Sequence, residues 1–338
     1  MDFFLPLAVL AAVITVIEGW SRLGAIGPAA VMAAILAIAL VVFSLGNRAL
    51  RFTLAVAAVL VPTTLDHSNK GVLKQERSFF GVHRVMADPD APMLNLVHGT
   101  TLHGAEFTDP ARWRTQVRYY NRGGPIGQFF ARLRAVRPEK QRVAAIGLGA
   151  GVLSCYALPG ESWTLYEIDP VVVRIAQDTR YFHYLEQCGG SATIVLGDAR
   201  LSLKAGPSRR YDVLILDAFN SDAIPMHLLT REAIALYLDQ LTESGVVAMH
   251  ISNRNLELKP MLAALARDLG LAGRDELSQP SAAEEADGAV GSEWVVLARR
   301  PGDLAFLDGE PRWTELTSDR RISAWTDDFS NIVSVLKW

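Results

Sequence analysis

The chain has 338 residues, with 33 Lys and Arg against 36 Asp and Glu and a formal net charge of −3. This near-neutral balance, with no Lys/Arg-rich run, offers no track for a phosphate backbone and argues against nucleic acid as a partner. The two cysteines, Cys155 and Cys188, form neither a CxxC pair nor a Cys/His cluster. That spacing argues against a zinc site or a disulfide framework and predicts free thiols in a reducing compartment.

Half of the residues are hydrophobic and the mean hydropathy is +0.19, with the excess gathered at the N-terminus. Residues 1–66 contain three apolar runs: Phe3 to Ile17, followed by Glu18 and Trp20; Ala25 to Leu45, free of charge; and Leu54 to Leu65, which carries Pro62. The middle run alone is long enough for ~30 Å of hydrocarbon. These runs predict N-terminal transmembrane helices, three in this reading and two in the alternative. A cleaved signal peptide fits less well, because no Lys or Arg precedes the first run. In the three-span arrangement Arg22, Lys70, Lys74, Arg77 and Arg84 share one side, against Arg48 and Arg51 on the other. The expectation is then a multi-pass protein of the inner (cytoplasmic) membrane, with the lipid bilayer as a partner and the catalytic part facing the cytoplasm. Glu18 is read as an interfacial residue at a helix end.

Residues 70–110 alternate apolar and polar side chains, as in Phe80-Gly-Val82-His-Arg-Val85 and Leu94-Asn-Leu96-Val-His-Gly99. This predicts a small antiparallel β domain. A helix is expected over Trp113 to Arg137, stopped by Pro138. From Arg142 short apolar strands alternate with helical stretches: Val143–Ile146, Trp163–Tyr166, Ala192–Leu196, Tyr211–Leu216 and Gly245–His250. The pattern predicts an α/β class, with a Rossmann-like, methyltransferase-type doubly wound sheet over 112–300. Residues 301–338 are read as a C-terminal tail packing near the site. In the tail, Thr326 or Asp327 would cap a helix over Ile332–Leu336, or an acid there would reach the crevice.

Ligands of such sheets bind at the carboxyl ends of the strands. Gly147-Leu-Gly149-Ala-Gly151 follows the first strand and lets backbone approach a ligand closely. Glu167 ends the second strand, where an acid can accept both ribose hydroxyls. Asp198 and Asp217 end the third and fourth strands. Singly each acid could be a helix cap, but the ordered set points to a nucleoside. The glycines read GxGxG, with Val152 where a dinucleotide fingerprint places its last glycine. The extra acids suit an adenine edge and a cation better than a pyrophosphate.

The stretch Glu76 to His250 resembles the spermidine synthase family (polyamine aminopropyltransferases), in particular its membrane-fused bacterial branch. The resemblance implies that Gly147, Gly149 and Gly151, Glu167 in its Glu-Ile-Asp169 motif, and Asp198-Ala199 bind the nucleoside. Asp217-Ala-Phe-Asn-Ser-Asp222-Ala-Ile-Pro225 is similar to the family's catalytic Asp-x-x-Asp-Pro loop, with added residues. Asp217 would then orient and deprotonate an amine, Asp222 would hold a diamine's charge, and Tyr119 and Tyr120 would line the acceptor pocket. His98 and His103 belong to the β domain, where one could face the site. The implied substrate is S-adenosylmethionine or its decarboxylated form, with a polyamine as second partner, no metal, and homo-oligomerisation left open. Attack at the carbon next to the sulfonium would release methylthioadenosine. In one respect the chain departs from the pattern: the family's Gly-Gly-Gly-Asp-Gly turn has an acid for the donor's amine, and here Ala150 stands there. Three alternatives to aminopropyl transfer follow. They are a lyase giving methylthioadenosine and homoserine lactone, a methyltransferase, and a non-catalytic membrane sensor.

Overall fold

The computed structural model describes residues 4–23, 28–64, 71–99, 101–190, 192–208, 210–219 and 224–337. Two compact units emerge, residues 1–70 and residues 71–338.

The first unit is helical: α1 (Phe4–Leu23), α2 (Pro28–Ser44) and α3 (Ala49–Thr64). Val9 and Val13 of α1 meet Ala58 of α3 in a small buried cluster, with Ile38 and Val42 of α2 against it. The apolar runs therefore fold as helices, but the expectation that they span a membrane is overturned. No helix among the described residues is long and apolar enough to cross one. At 1.5 Å per residue, α2 with 17 residues and α3 with 16 reach only about 26 and 24 Å. In α1 the apolar run stops at Ile17, before Glu18, after about 21 Å. The multi-pass inner-membrane location, the cytoplasmic orientation and the bilayer as partner rested on those spans and are corrected with them.

The second unit begins with a four-stranded antiparallel meander: β1 (Val72–Arg77), β2 (Val82–Ala87), β3 (Met93–His98) and β4 (Thr101–Phe107). Its strands alternate buried and open side chains, so Val85 and Leu96 are fully buried, and they face each other in register. The expected long helix shortens to α4 (Pro125–Val136), because Gly123-Gly124 ahead of Pro125 stops helix growth toward the N-terminus. Residues 113–124 are left as an irregular connection, and Tyr119 and Tyr120 belong to it.

The main sheet runs through β5 (Arg142–Ile146), β6 (Ser162–Glu167), β7 (Ala192–Leu196), β8 (Tyr211–Leu216) and β9 (Leu241–His250), all parallel. Helices α5 (Pro170–Gln177), α6 (Tyr184–Cys188), α7 (Ala199–Ala205) and α8 (Arg231–Gln240) lie between them in sequence, and α9 (Lys259–Leu269) follows β9. An antiparallel edge follows, β10 (Ala272–Ser278), β11 (Ser292–Ala298) and the short β12 (Thr314–Glu315), with α10 (Ala282–Ala286) between the first two. The order β12-β10-β11-β9-β8-β5-β6-β7 reverses direction at β5, with β8 on one side and β6 on the other. A crevice opens at the carboxyl ends of strands where the order reverses. Two cores flank the sheet. One contains Phe129, Phe130, Trp163 and Trp294, the other Leu214, Tyr237, Met261 and Trp325.

The cysteines depart from the expected free thiols: Cys155 and Cys188 form a disulfide with Cα atoms 4.8 Å apart. Thirty-three positions separate them in sequence, and only the packing of α6 on the turn Val152–Tyr156 brings them together. The tail also differs from expectation. Asp327 is held by Arg200 Nη1 at 2.8 Å and by the Thr230 hydroxyl at 2.7 Å, and Asn331 caps a short turn over Ile332–Val335.

Glu276 of β10 is buried opposite Trp294, and Arg312 Nε lies 3.2 Å from its carboxylate without hydrogen-bond alignment. Burial, reinforced by Glu310 and opposed by Arg312, pushes its carboxyl from 4.5 up to about 7. A raised folded value means this site favours folding fully below pH 4.5 and loses that contribution as pH rises through 7. Between pH 5 and pH 8 the wild-type protein should lose about 2 kcal/mol that Glu276→Gln retains, a figure reduced for solvent screening. Urea unfolding of both proteins across that range checks it.

Candidate active site

Four strand ends converge on one cavity of about 230 Å³. It is lined by the glycine turn after β5, Glu167 to Asp169 after β6, Gly197 to Ala199 after β7, and Asp217 to Phe219 after β8. The turn glycines Gly147, Gly149 and Gly151 have φ of 101°, 52° and 90°, the left-handed region that other residues rarely adopt. At Gly147 a Cβ would fall 2.1 Å from the Asp217 carbonyl oxygen. The strand-end loops of β5 and β8 thus touch because this residue has no side chain.

Glu167 is buried and spans the turn. One carboxylate oxygen accepts the Leu148 N–H at 3.1 Å and the other the Asp169 N–H at 2.8 Å. Burial pushes its carboxyl up, and those N–H bonds offset only part of the rise. Asp169 caps α5 through the Val171 N–H and also accepts from the Ser78 hydroxyl and from His83 Nε2 at 2.7 Å. Burial works to raise its carboxyl, yet these bonds together bring it below the usual range. Asp198 caps α7 by accepting the Leu201 N–H at 2.9 Å while it lines the cavity, so the cap and the candidate ligand role coexist. Gly151 supports the turn from behind and is absent from the lining.

Across the cavity the β meander contributes Phe80, His83, His98 and His103. The three imidazoles form a row, with centroids 4.8 Å apart for His83–His98 and 5.6 Å for His98–His103. Burial, aided by neighbouring His83, holds His98 below the usual imidazole value. His83 was not singled out in the sequence. Its alternation within β2 marked it as inward-facing, but nothing local pointed to Asp169, 86 residues away. Among the described residues no group of three or more His, Cys, Asp or Glu side chains is arranged to hold a metal ion.

Asp217 lines this cavity and a second one of about 460 Å³, formed with Thr101, His103, Tyr119, Tyr120, Phe219, His250, Ser252, Asn253 and Arg254. Its side chain is 5% exposed and both oxygens are engaged. His250 Nδ1 lies 2.8 Å from Oδ1, and the Tyr120 hydroxyl donates to Oδ2 at 2.8 Å. His250 in turn stacks on Trp294 at 4.8 Å and bonds the Ser252 hydroxyl through Nε2 at 2.9 Å. Burial first, then the Asp217 charge, pushes the Tyr120 phenol far up, so it remains a hydrogen-bond donor. Tyr119 and Tyr120 both line the second cavity. Asp222 lies outside the described residues. His250 was read as a strand end, and the contact that gives it interest, with Asp217 on the neighbouring strand, is invisible locally.

Ala150 is fully buried in the core behind the turn and lines neither cavity. A Cβ added at Gly104 of β4 would come within 2.7 Å of the Ala150 methyl, so the meander seats directly on this residue. An acid here would be buried without a partner. Ala150→Asp should therefore destabilise the protein by more than about 2 kcal/mol, whereas Ala150→Ser should cost less than half of that. Chemical denaturation of the two variants measures the difference.

No family model matches the chain. A curated polyamine aminopropyltransferase of Vibrio vulnificus (strain CMCP6) is 33% identical over 196 residues, 56% of this chain. The match spans 61% of that relative's length. A probable spermidine synthase from Corynebacterium glutamicum ATCC 13032 has the same fold, with a TM-score of 0.55 at 14% identity, covering 76% of this chain and 97% of that one. The chain is thus similar in sequence to a polyamine aminopropyltransferase over about half of its own length, and similar in fold to a probable spermidine synthase.

Proposed function

We propose that the chain is an aminopropyltransferase-type enzyme that forms methylthioadenosine from a nucleoside sulfonium, decarboxylated S-adenosylmethionine or S-adenosylmethionine itself. The cavity behind Glu167, Asp198 and Ala199 would hold the nucleoside, and the second cavity would hold the acceptor, a polyamine in the related enzymes' reaction. The observation that carries this reading is Asp217, a buried carboxylate on the wall common to both cavities. A group there can face the sulfonium carbon from one side and an amine from the other.

In the reaction the acceptor nitrogen attacks the carbon beside the sulfonium. A C–N bond forms, the C–S bond breaks, and methylthioadenosine leaves as a neutral thioether. The nitrogen loses a proton, for which Asp217 is the nearest base. Each carboxylate oxygen has two lone-pair sites, so the bonds from His250 and Tyr120 leave capacity for the amine N–H. Those two bonds fix the carboxylate's plane. Much of the rate would come from holding both substrates against one rigid wall, because the leaving group needs no further activation. The relatives lend the lyase and methyltransferase readings no comparable support.

Purified protein incubated with decarboxylated S-adenosylmethionine and an amine should release methylthioadenosine, followed by mass spectrometry. Asp217→Asn should lower kcat by about 100-fold or more through loss of the base. Tyr120→Phe, which removes one donor to a charged acceptor, should lower it by about 10-fold to 100-fold. Methyl transfer with adenosylhomocysteine as product, or no turnover with any amine, would overturn the proposal.

A further inference from the structure

We infer that the Cys155–Cys188 disulfide is a redox switch on the reaction, holding the site competent while oxidised and slackening it when a dithiol reductant opens the bond; this rests on the transfer reading above. Cys155 lies in the turn Val152–Tyr156, directly after Gly151, and Cys188 closes α6. Both residues are partly exposed, as exchange with an external thiol requires.

Each half of the cystine is tied to a different part of the second unit. On the Cys188 side, Glu106 of β4 accepts the His183 N–H at 2.7 Å, and the Tyr184 hydroxyl lies 2.9 Å from the Ala105 carbonyl it can donate to. On the Cys155 side, the Gln116 side-chain N–H donates to the Cys155 carbonyl at 2.7 Å. The next residue, Tyr156, donates its hydroxyl to the Tyr120 carbonyl, and Tyr120 donates in turn to Asp217 at 2.8 Å. The turn also bears on the nucleoside glycines, because a Cβ at Gly151 would fall 3.0 Å from Leu185 Cγ, so α6 packs on bare backbone there. Ser154 adds little across the joint: its hydroxyl is 2.7 Å from the Gly151 carbonyl in its own segment and 3.3 Å from the Tyr184 carbonyl of α6. The disulfide is the firm tie between the two.

In the opening step a thiolate of the reductant attacks one sulfur, the S–S bond breaks and a mixed disulfide forms. The reductant's second thiol then displaces the remaining protein sulfur. Two electrons and two protons pass to the protein, which ends with two thiols, and the reductant ends as a cyclic disulfide. The turn is then free to shift against α6. Through Tyr156 that shift reaches Tyr120 and the carboxylate that meets the amine, and through Gly151 it reaches the nucleoside.

The test compares wild-type protein before and after dithiothreitol and after reoxidation, with thiols counted by alkylation and mass spectrometry and the fold followed by tryptophan fluorescence. Reduction should lower kcat about 10-fold in protein that stays folded, since small displacements of reacting groups are costly. It should also weaken methylthioadenosine binding by about 5-fold in calorimetry, and reoxidation should restore both. The double variant Cys155→Ser/Cys188→Ser should sit at the reduced level and ignore dithiothreitol; should it fail to fold, the reduced wild type carries the test. Tyr156→Phe, which cuts the turn from the Tyr120 carbonyl, should bring the oxidised-to-reduced kcat ratio toward unity. A disulfide that only stabilises the fold would lower the urea midpoint on reduction and leave kcat of the folded protein unchanged, which overturns the inference. A bond that dithiothreitol cannot open in folded protein, or a Tyr156→Phe protein that keeps the full ratio, sinks it as well. If no amine gives turnover in either state, the transfer reading fails. Methylthioadenosine binding then decides alone: weaker binding on reduction upholds the switch, and equal binding refutes it.

Discussion

A carboxylate buried to 5% exposure at the end of β8 is the constraint around which the second unit is arranged. Burying such a charge costs several kcal/mol unless hydrogen bonds replace the lost water. Asp217 recovers them from separate parts of the chain, a loop tyrosine before α4 and a histidine at the end of β9. His250 is itself held by stacking on Trp294 of β11, so the antiparallel edge of the sheet supports a residue at its parallel centre. Tyr120 is positioned in part by its own carbonyl, which accepts the Tyr156 hydroxyl from the turn beyond the glycines. Removing one donor would leave a buried charge short of a partner, which costs more than the bond is worth when formed.

The opposite wall follows a similar logic with different chemistry. Asp169 ties β2 and the segment before it to α5 through Ser78 and His83, while Glu167 ties the glycine turn to the end of β6. Acids that line the cavity are thus also structural bonds. A carboxylate that caps a helix or bridges a turn keeps oxygen lone pairs for a ligand, so the same side chain can serve both ends.

The sequence disclosed those parts whose cause is local. Period-two alternation marked the meander, and short apolar runs marked β5 to β9, because each strand's burial is written in its own residues. The glycine turn and the acids Glu167, Asp198 and Asp217 were legible from their places at strand ends. The Cys155–Cys188 disulfide, the pairing of His83 with Asp169 and the Asp217–His250 contact were not, since each joins segments whose proximity only the tertiary packing creates. The polar strand β10, Ala-Gly-Arg-Asp-Glu-Leu-Ser, was not among the expected strands, because it has little apolar periodicity to mark it. The membrane expectation failed for a different reason. Hydropathy measures apolar content, whereas crossing a bilayer demands uninterrupted apolar length, and no helix among the described residues reaches it.

The position of Asp217 between two cavities has a thermodynamic consequence for the proposed reaction. A sulfonium in the first cavity and the buried carboxylate attract one another strongly where water is scarce. Transfer turns the sulfonium into a neutral thioether and hands Asp217 a proton, so both partners of that attraction lose their charge in one event. What drew the donor in no longer holds the nucleoside product. Discharge of the wall would then work as a release step, and shedding the proton would reset the enzyme for the next cation.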